Sequence, residues 1–343
     1  MVLDKNRDLF HWLNISAWHD AGYTGTRGLT ATQEGWDTTR YNYKGLITMG
    51  DTAMLSESAH PINTAKCFFE IAPDRKLIQL PYKMTSSKNS TEISSTFFTT
   101  VFDAVKRLGV DIMFGAIIST ADGKYLDPYL SQVAETFTYY MNTSNDNGST
   151  VNKMISAKYI YGIGSYVMDE RTAIPSPIGG EEVINASLTS VPTHLYIPYA
   201  NGEYKSNANC RKFSGASCSS SILAGMMSLV NDFFIEQTGL PLSSTGSKKF
   251  IKTHSTTIGN GFRLFRLPDP ESINVKEFTE GRLSSIYDIA DGNSIDPELV
   301  DEVLYVLNRG YMHLDEEGNF NPNNPVTNIK MAEILAKILR DNK

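Results

Sequence analysis

The chain has 343 residues, 41% apolar and 20% charged, with a formal net charge of -7 at pH 7. That balance fits a soluble globular protein and excludes a disordered one, and the absence of any basic block argues against a nucleic-acid partner. The length exceeds what one small core needs, so one large domain followed by a small one is expected.

The N-terminal stretch MVLDKNRDLFHWLN has neither the apolar core nor the small-residue cleavage site of a secretory signal. The chain is therefore expected to be cytoplasmic at synthesis, with a phage-like particle or a cell surface as the settings it suggests. Gly28 to Thr32, Lys76 to Leu80, Asp111 to Ile118 and Lys158 to Ile163 read as strands, and none of the apolar runs is long enough to span a bilayer. Thr96 to Leu108 has helical spacing, with Phe98, Val101, Val105 and Leu108 on one face, and Pro128 to Met141 also reads as a helix. Thr143 to Thr150 and Ile174 to Pro192 read as long loops. Alternation of this kind predicts an α/β domain with a mostly parallel sheet over residues 1–270. The composition turns linker-like from Pro268 to Val275. A small all-helical unit is expected over 277–343, with amphipathic helices at Pro297 to Arg309 and Thr327 to Arg340. Cys67, Cys210 and Cys218 have no metal-ligand spacing and leave one over if paired, so three reduced thiols are expected, with no metal and no cofactor.

The most informative segment is Phe213 to Leu229, FSGASCSSSILAGMMSL. A glycine and a small residue precede Ser217, and a helix of small and apolar residues follows. This places Ser217 at a helix N-terminus, where free N–H groups and the helix dipole stabilise an oxyanion. The same residues would also serve as an ordinary serine-rich helix cap. Ala224 and Gly225 let the helix pack closely, by expectation against a sheet.

This segment resembles the serine motif of subtilisin-like peptidases, GTSMAxPHVAG. Gly215, Ser217, Ala224 and Gly225 match, while Ala216, Ser221 and Ile222 depart from it. Two further segments fall in the order Asp, His, Ser that the family requires. GYTGTRG at 22–28 and the residues after it resemble the family's first strand, with Gly35, Asp37, Thr38, Thr39, Lys44 and Gly45 matching. The triad aspartate position falls on Gln33. His60 to Leu80 is similar to the histidine motif through His60, Ala65, Ala72, Pro73, Asp74, Lys76 and Leu77, although Pro61, Ile62 and Asn63 replace Gly-Thr-His. The resemblance implies a subtilisin-like three-layer fold with a mostly parallel sheet, Ser217 as nucleophile and His60 as base. It also implies an oxyanion asparagine at Asn145, with Asn142 and Asn147 as rivals.

An amide at position 33 offers the imidazole no negative charge. Of the nearby acids, Glu34 is set on the opposite strand face from its neighbour, and Asp37 matches a non-catalytic aspartate. The resemblance therefore implies a degenerate peptidase domain, used for binding or assembly with little turnover. The alternative is an active serine endopeptidase with a weakened Ser-His-Gln constellation. The expected partner is a polypeptide in the cleft.

Val303 to Leu339 resembles one surface-layer homology repeat through Gly310, Gly318, Phe320, Pro322, Pro325 and Thr327. The TRAE motif tied to cell-wall polymer binding reads Thr327, Asn328, Ile329, Lys330, without its bidentate arginine. A single copy implies self-association or an architectural role. Asp315, Glu316 and Glu317 lack the spacing of a calcium loop and read as a solvated turn.

Overall fold

The structure is a computed structural model that describes residues 3–41, 46–48, 55–80, 104–105, 107–116, 122–143, 152–168, 175–178, 189–198, 209–258, 262–279, 288–308, 312–329, 331–332 and 334–335. The strands are β1 Leu29–Thr32, β2 Leu46–Thr48, β3 Lys76–Gln79, β4 Val110–Gly115, β5 Thr138–Asn142, β6 Ile160–Met168, β7 Pro175–Ile178, β8 Thr189–Pro192, β9 His194–Pro198, β10 Cys210–Ser214, β11 Ser255–Ile258 and β12 Phe262–Phe265. The helices are α1 Arg7–Trp12, α2 Ile15–Asp20, α3 His60–Ile71, α4 Asp127–Leu130, α5 Ala216–Thr238, α6 Ser244–Thr253, α7 Val275–Phe278 and α8 Val300–Asn308.

The main sheet runs in the order β11-β12-β8-β6-β5-β4-β1-β3-β2, with β7 on β6 off this path. All pairings along it are parallel except β11 with β12, and β7 also runs antiparallel to β6. A separate antiparallel ribbon joins β9 to β10. The chain passes from β1 to β2 at the sheet edge, returns to β3 beside β1, then crosses to β4 on the other side of β1. That reversal at β1 is the kind of switch point where ligands settle, beyond the C-terminal strand ends.

Strand parity divides the core into two layers. Ile112, Phe114 and Tyr140 face α3 and α5, in a cluster with Phe68, Ile71, Leu223 and Met227. Leu29, Ala31, Met113, Tyr139 and Met141 face the other way, against Val105, Leu126, Leu130 and Met154. Sheet faces covered on both sides give the apolar strands that the sequence shows. By length and composition α5, with 23 residues, could cross a bilayer, but 94% of its most apolar window is buried in the protein core. It is the central helix of the domain, and its hydropathy reflects burial on all sides.

At the opposite end of the strands, Asp232 of α5 accepts the backbone N–H groups of Gly25, Thr26 and Arg27 at 2.7, 2.8 and 2.5 Å. Arg75 bridges this cradle to Asp111, with Nε donating to Thr30 Oγ1 at 3.0 Å. The GYTGTRG segment is thus a nest of N–H groups around a buried carboxylate.

Several expectations are corrected. The helix read over Pro128 to Met141 is confined to α4, followed by turns and then β5. From Phe137 on, aromatic and β-branched residues alternate between the two layers, a period of two that the sheet uses. The loop read over Ile174 to Pro192 holds β7 and β8; among the described residues, Pro175 and Pro177 sit in a strand that pairs only with β6, where a missing N–H is tolerated. Phe278 of α7 is buried against Phe234 and Phe250 of the large core.

The C-terminal unit has its own cluster of Ile289, Ile295, Val303 and Leu304. Asp291 accepts from the backbone N–H of Phe320 and Asn321 at 2.6 and 2.7 Å. Asp315 accepts from Glu317 N and Asn319 N at 3.1 and 2.8 Å, which makes it the clamp of the acidic turn. Asn308 Nδ2 of α8 donates to Thr238 O at the end of α5, tying the unit to the large domain.

Candidate active site

Three chain segments meet at the C-terminal edge of β1 and β4. The first is the end of β1. Gln33 N continues the ladder by donating to Phe114 O at 3.1 Å, and the chain then leaves the sheet. The second is the start of α3, where His60 is the first helical residue and Pro61 pre-sets the helical φ of the next position. The third is the start of α5, entered through Gly215 at φ 124°, a conformation that favours glycine. Ser217 is the second residue of α5, in the first turn, where backbone N–H groups have no intrahelical acceptor.

Ser217 Oγ lies 2.9 Å from His60 Nε2, and Glu34 Oε1 lies 3.0 Å from His60 Nδ1. A carboxylate only accepts, so the ring proton sits on Nδ1 and is donated to Glu34. Nε2 is then the acceptor for the Ser217 hydroxyl. That hydroxyl has a second acceptor in reach, Ala116 O at 3.1 Å, just past the end of β4. The Glu34 side chain is 15% exposed and that of His60 37%, so the imidazole stands at the rim with its carboxylate behind it. The Phe213 ring meets the His60 ring edge-on, with centroids 6.3 Å apart.

The expectation that Gln33 stands behind the imidazole is corrected. Gln33 points into the opposite layer, where its Oε1 accepts from Tyr139 Oη at 2.6 Å. Gly115 makes room for it, since a Cβ there would come within 2.3 Å of Gln33 Oε1. The cause is strand parity: Thr30, whose hydroxyl lies 3.2 Å from Ser228 Oγ of α5, shares its face with Thr32 and Glu34, whereas Leu29, Ala31 and Gln33 share the other. The amide behind the imidazole, and with it the physical ground for negligible turnover, gives way to a carboxylate. Glu34 is thus the residue that counting along the motif sets aside. The signal for it is the polar set Thr30, Thr32, Glu34 at alternate positions.

Other expected residues are placed as follows. Asn145 and Asn147 lie outside the described residues. Asn142 is buried at the end of β5, and its carbonyl accepts from Asn152 Nδ2 at 2.9 Å. Gly225 packs against α3 rather than against the sheet: a Cβ on it would come within 2.8 Å of Ile71 Cβ and 3.3 Å of Phe68 O. Among the described residues no group of His, Cys, Asp and Glu is arranged to hold a metal ion.

Comparison with solved structures identifies the fold. The chain is similar to the prenylagaramide maturation protease PagA, with a TM-score of 0.54 and 17% identity over 78% of this chain and 97% of that one. It is similar to the self-cleaved protease domain of PatA, with a TM-score of 0.54 and 14% identity over 75% of this chain and 97% of that one. A third likeness is to the PatG macrocyclase in complex with peptide, with a TM-score of 0.50 and 10% identity over 75% of this chain and 94% of that one. The large domain has the subtilisin-like fold. Residues 288–327 match the family described as the S-layer homology domain. No curated protein sequence matches the chain.

Proposed function

We propose, from the premise of a subtilisin-like fold, that the large domain is a serine peptidase working through Ser217, His60 and Glu34. The observation that carries the reading is the imidazole held between a hydroxyl at 2.9 Å and a carboxylate at 3.0 Å. His60 takes the Ser217 proton as Oγ attacks a peptide carbonyl. Glu34 fixes the ring tautomer and stabilises the imidazolium that forms. The helix start at Ser217 supplies N–H groups and dipole to the developing oxyanion. His60 then returns the proton to the leaving amine, and water repeats the sequence on the acyl-enzyme. The substrate class is a polypeptide, in keeping with neighbours whose names are those of a maturation protease, a protease domain and a macrocyclase bound to peptide.

The test is labelling by a fluorophosphonate, followed by peptide mapping. Stoichiometric modification at Ser217, absent in Ser217→Ala and slowed in His60→Ala, is the expected result. A folded chain whose Ser217 stays unlabelled under prolonged exposure overturns the proposal in favour of a binding or assembly role.

A further inference from the structure

We propose that Cys67 and Cys218 are an oxidisable pair whose disulfide staples α3 to α5, the helices that carry His60 and Ser217. Their sulfurs lie 3.4 Å apart in the core, between residues 151 apart in sequence, and both are thiols. Bonding requires an approach of only about 1.4 Å, since bonded sulfurs lie about 2 Å apart. The positions are not incidental to the site. Cys67 is two helical turns beyond His60, so the two share a face of α3. Cys218 follows Ser217 directly. Gly225 lets the helices come this close, because a Cβ there would strike Ile71, one turn beyond Cys67. Cys210, the third cysteine, sits on β10 in the separate ribbon.

The chemistry needs an oxidant, and a small disulfide such as oxidised glutathione supplies it. The thiolate of one cysteine attacks a sulfur of the small disulfide, forming a mixed disulfide and releasing one small thiolate. The second cysteine's thiolate then attacks the protein sulfur of that bond, closing the Cys67–Cys218 link and releasing the second small thiolate. The two cysteines lose two electrons, the small disulfide gains them, and the two cysteine protons pass to the released thiolates. Burial, with neighbouring Cys218 adding to it, holds the Cys67 thiol well above its usual range, so thiolate is scarce while the helices stay packed. Closure therefore takes place as the chain folds or when α3 and α5 part transiently.

The experiment uses the full chain and does not depend on Ser217 being a nucleophile. One sample is refolded in a glutathione redox buffer, and a never-denatured sample is held in the same buffer just below its melting midpoint. Both are acid-quenched, alkylated and mapped by mass spectrometry. The expected product is a linked Cys67–Cys218 peptide, lighter by two hydrogens than its separate parts, with Cys210 alkylated. The linked protein should melt on the order of 5–10 °C above the same sample after reduction. Cys210→Ser should retain the shift and the Cys67→Ser/Cys218→Ser double variant should lose it. Full alkylation of both cysteines in both samples, pairing with Cys210 or glutathione instead, or a linked form that melts no higher than the reduced one would each overturn the proposal.

Discussion

Replacing Glu34 by glutamine keeps the size of the side chain and removes the charge behind His60. With Nδ1 and Oε1 3.0 Å apart, the imidazolium and carboxylate charge centres are separated by about 4 Å, worth about 4 kcal/mol at the effective dielectric of a partly exposed pair. His60 is 37% exposed, which trims that figure, whereas loss of tautomer control adds to the damage. Amide substitution of the acid in a known serine-protease triad costs about 10⁴ in turnover. The expected fall in the labelling rate of Ser217 is therefore on the order of 10³, which is about 4 kcal/mol of barrier. The assay is the second-order rate constant for fluorophosphonate modification, with circular dichroism to show that the variant folds. Gln33→Leu is the discriminating partner. It should change that rate by less than about threefold while lowering stability by about 1–3 kcal/mol, because Tyr139 loses an acceptor in the buried layer. The exchange Gln33→Glu with Glu34→Gln should not restore the rate, since residue 33 faces away from α3. A Glu34→Gln variant labelled within tenfold of the parent, or a rescue by the exchange, would refute the assignment.

Further outcomes follow from the packing and from two half-buried histidines. Gly225→Ala should destabilise by about 1–3 kcal/mol, because the new methyl meets Ile71 Cβ at 2.8 Å between two helices with no slack. It should also slow Ser217 labelling by moving α3 against α5; urea melts and labelling rates check both. His19 and His254 are both held below the usual histidine range, chiefly by burial. Below about pH 6.5 the unfolded chain therefore binds protons that the folded one refuses, and stability rises with pH across that window. Urea midpoints should fall between pH 7.5 and 5, and His19→Asn should flatten the part of that slope due to His19. A slope that is unchanged in this variant would remove His19 as a cause.

Much of the fold was legible because burial leaves periodic marks. β1, β3, β4, β6 and α5 coincide with apolar runs or helical spacing, and the glycine before Ser217 marks the helix entry. Ser217 stood out because the glycine and small residues around it mark a helix start, and His60 because its spacing to Ala72 and Pro73 matches the family's histidine motif. The acid did not, for a physical reason: an ungapped match counts positions along the chain, whereas a strand assigns side chains by parity, and an offset of one residue changes the face. β5 was missed because Pro128 opens a plausible helix and its tyrosines and methionine fill either periodicity. The Cys67–Cys218 contact depends on how two helices cross, and no local pattern encodes that.

The Glu34 carboxylate is not evenly satisfied. Oε1 meets His60, while Oε2 is buried without a hydrogen-bond partner among the described residues. A buried carboxylate oxygen that accepts no hydrogen bond from the protein is costly in the resting state. In the proposed reaction the cost falls when His60 takes the Ser217 proton, because the neighbouring imidazolium then balances the charge directly. Only interactions that strengthen between ground and transition state accelerate a reaction. A half-satisfied carboxylate supplies such a difference, whereas one fully hydrogen-bonded at rest has less to gain. Glu34 reaches this position from beyond the last residue of β1, where the ladder no longer fixes the backbone and the longer side chain spans the remaining distance to the ring. One residue beyond Gln33, the carboxylate thus meets the imidazole on the face of the sheet where α3 and α5 begin.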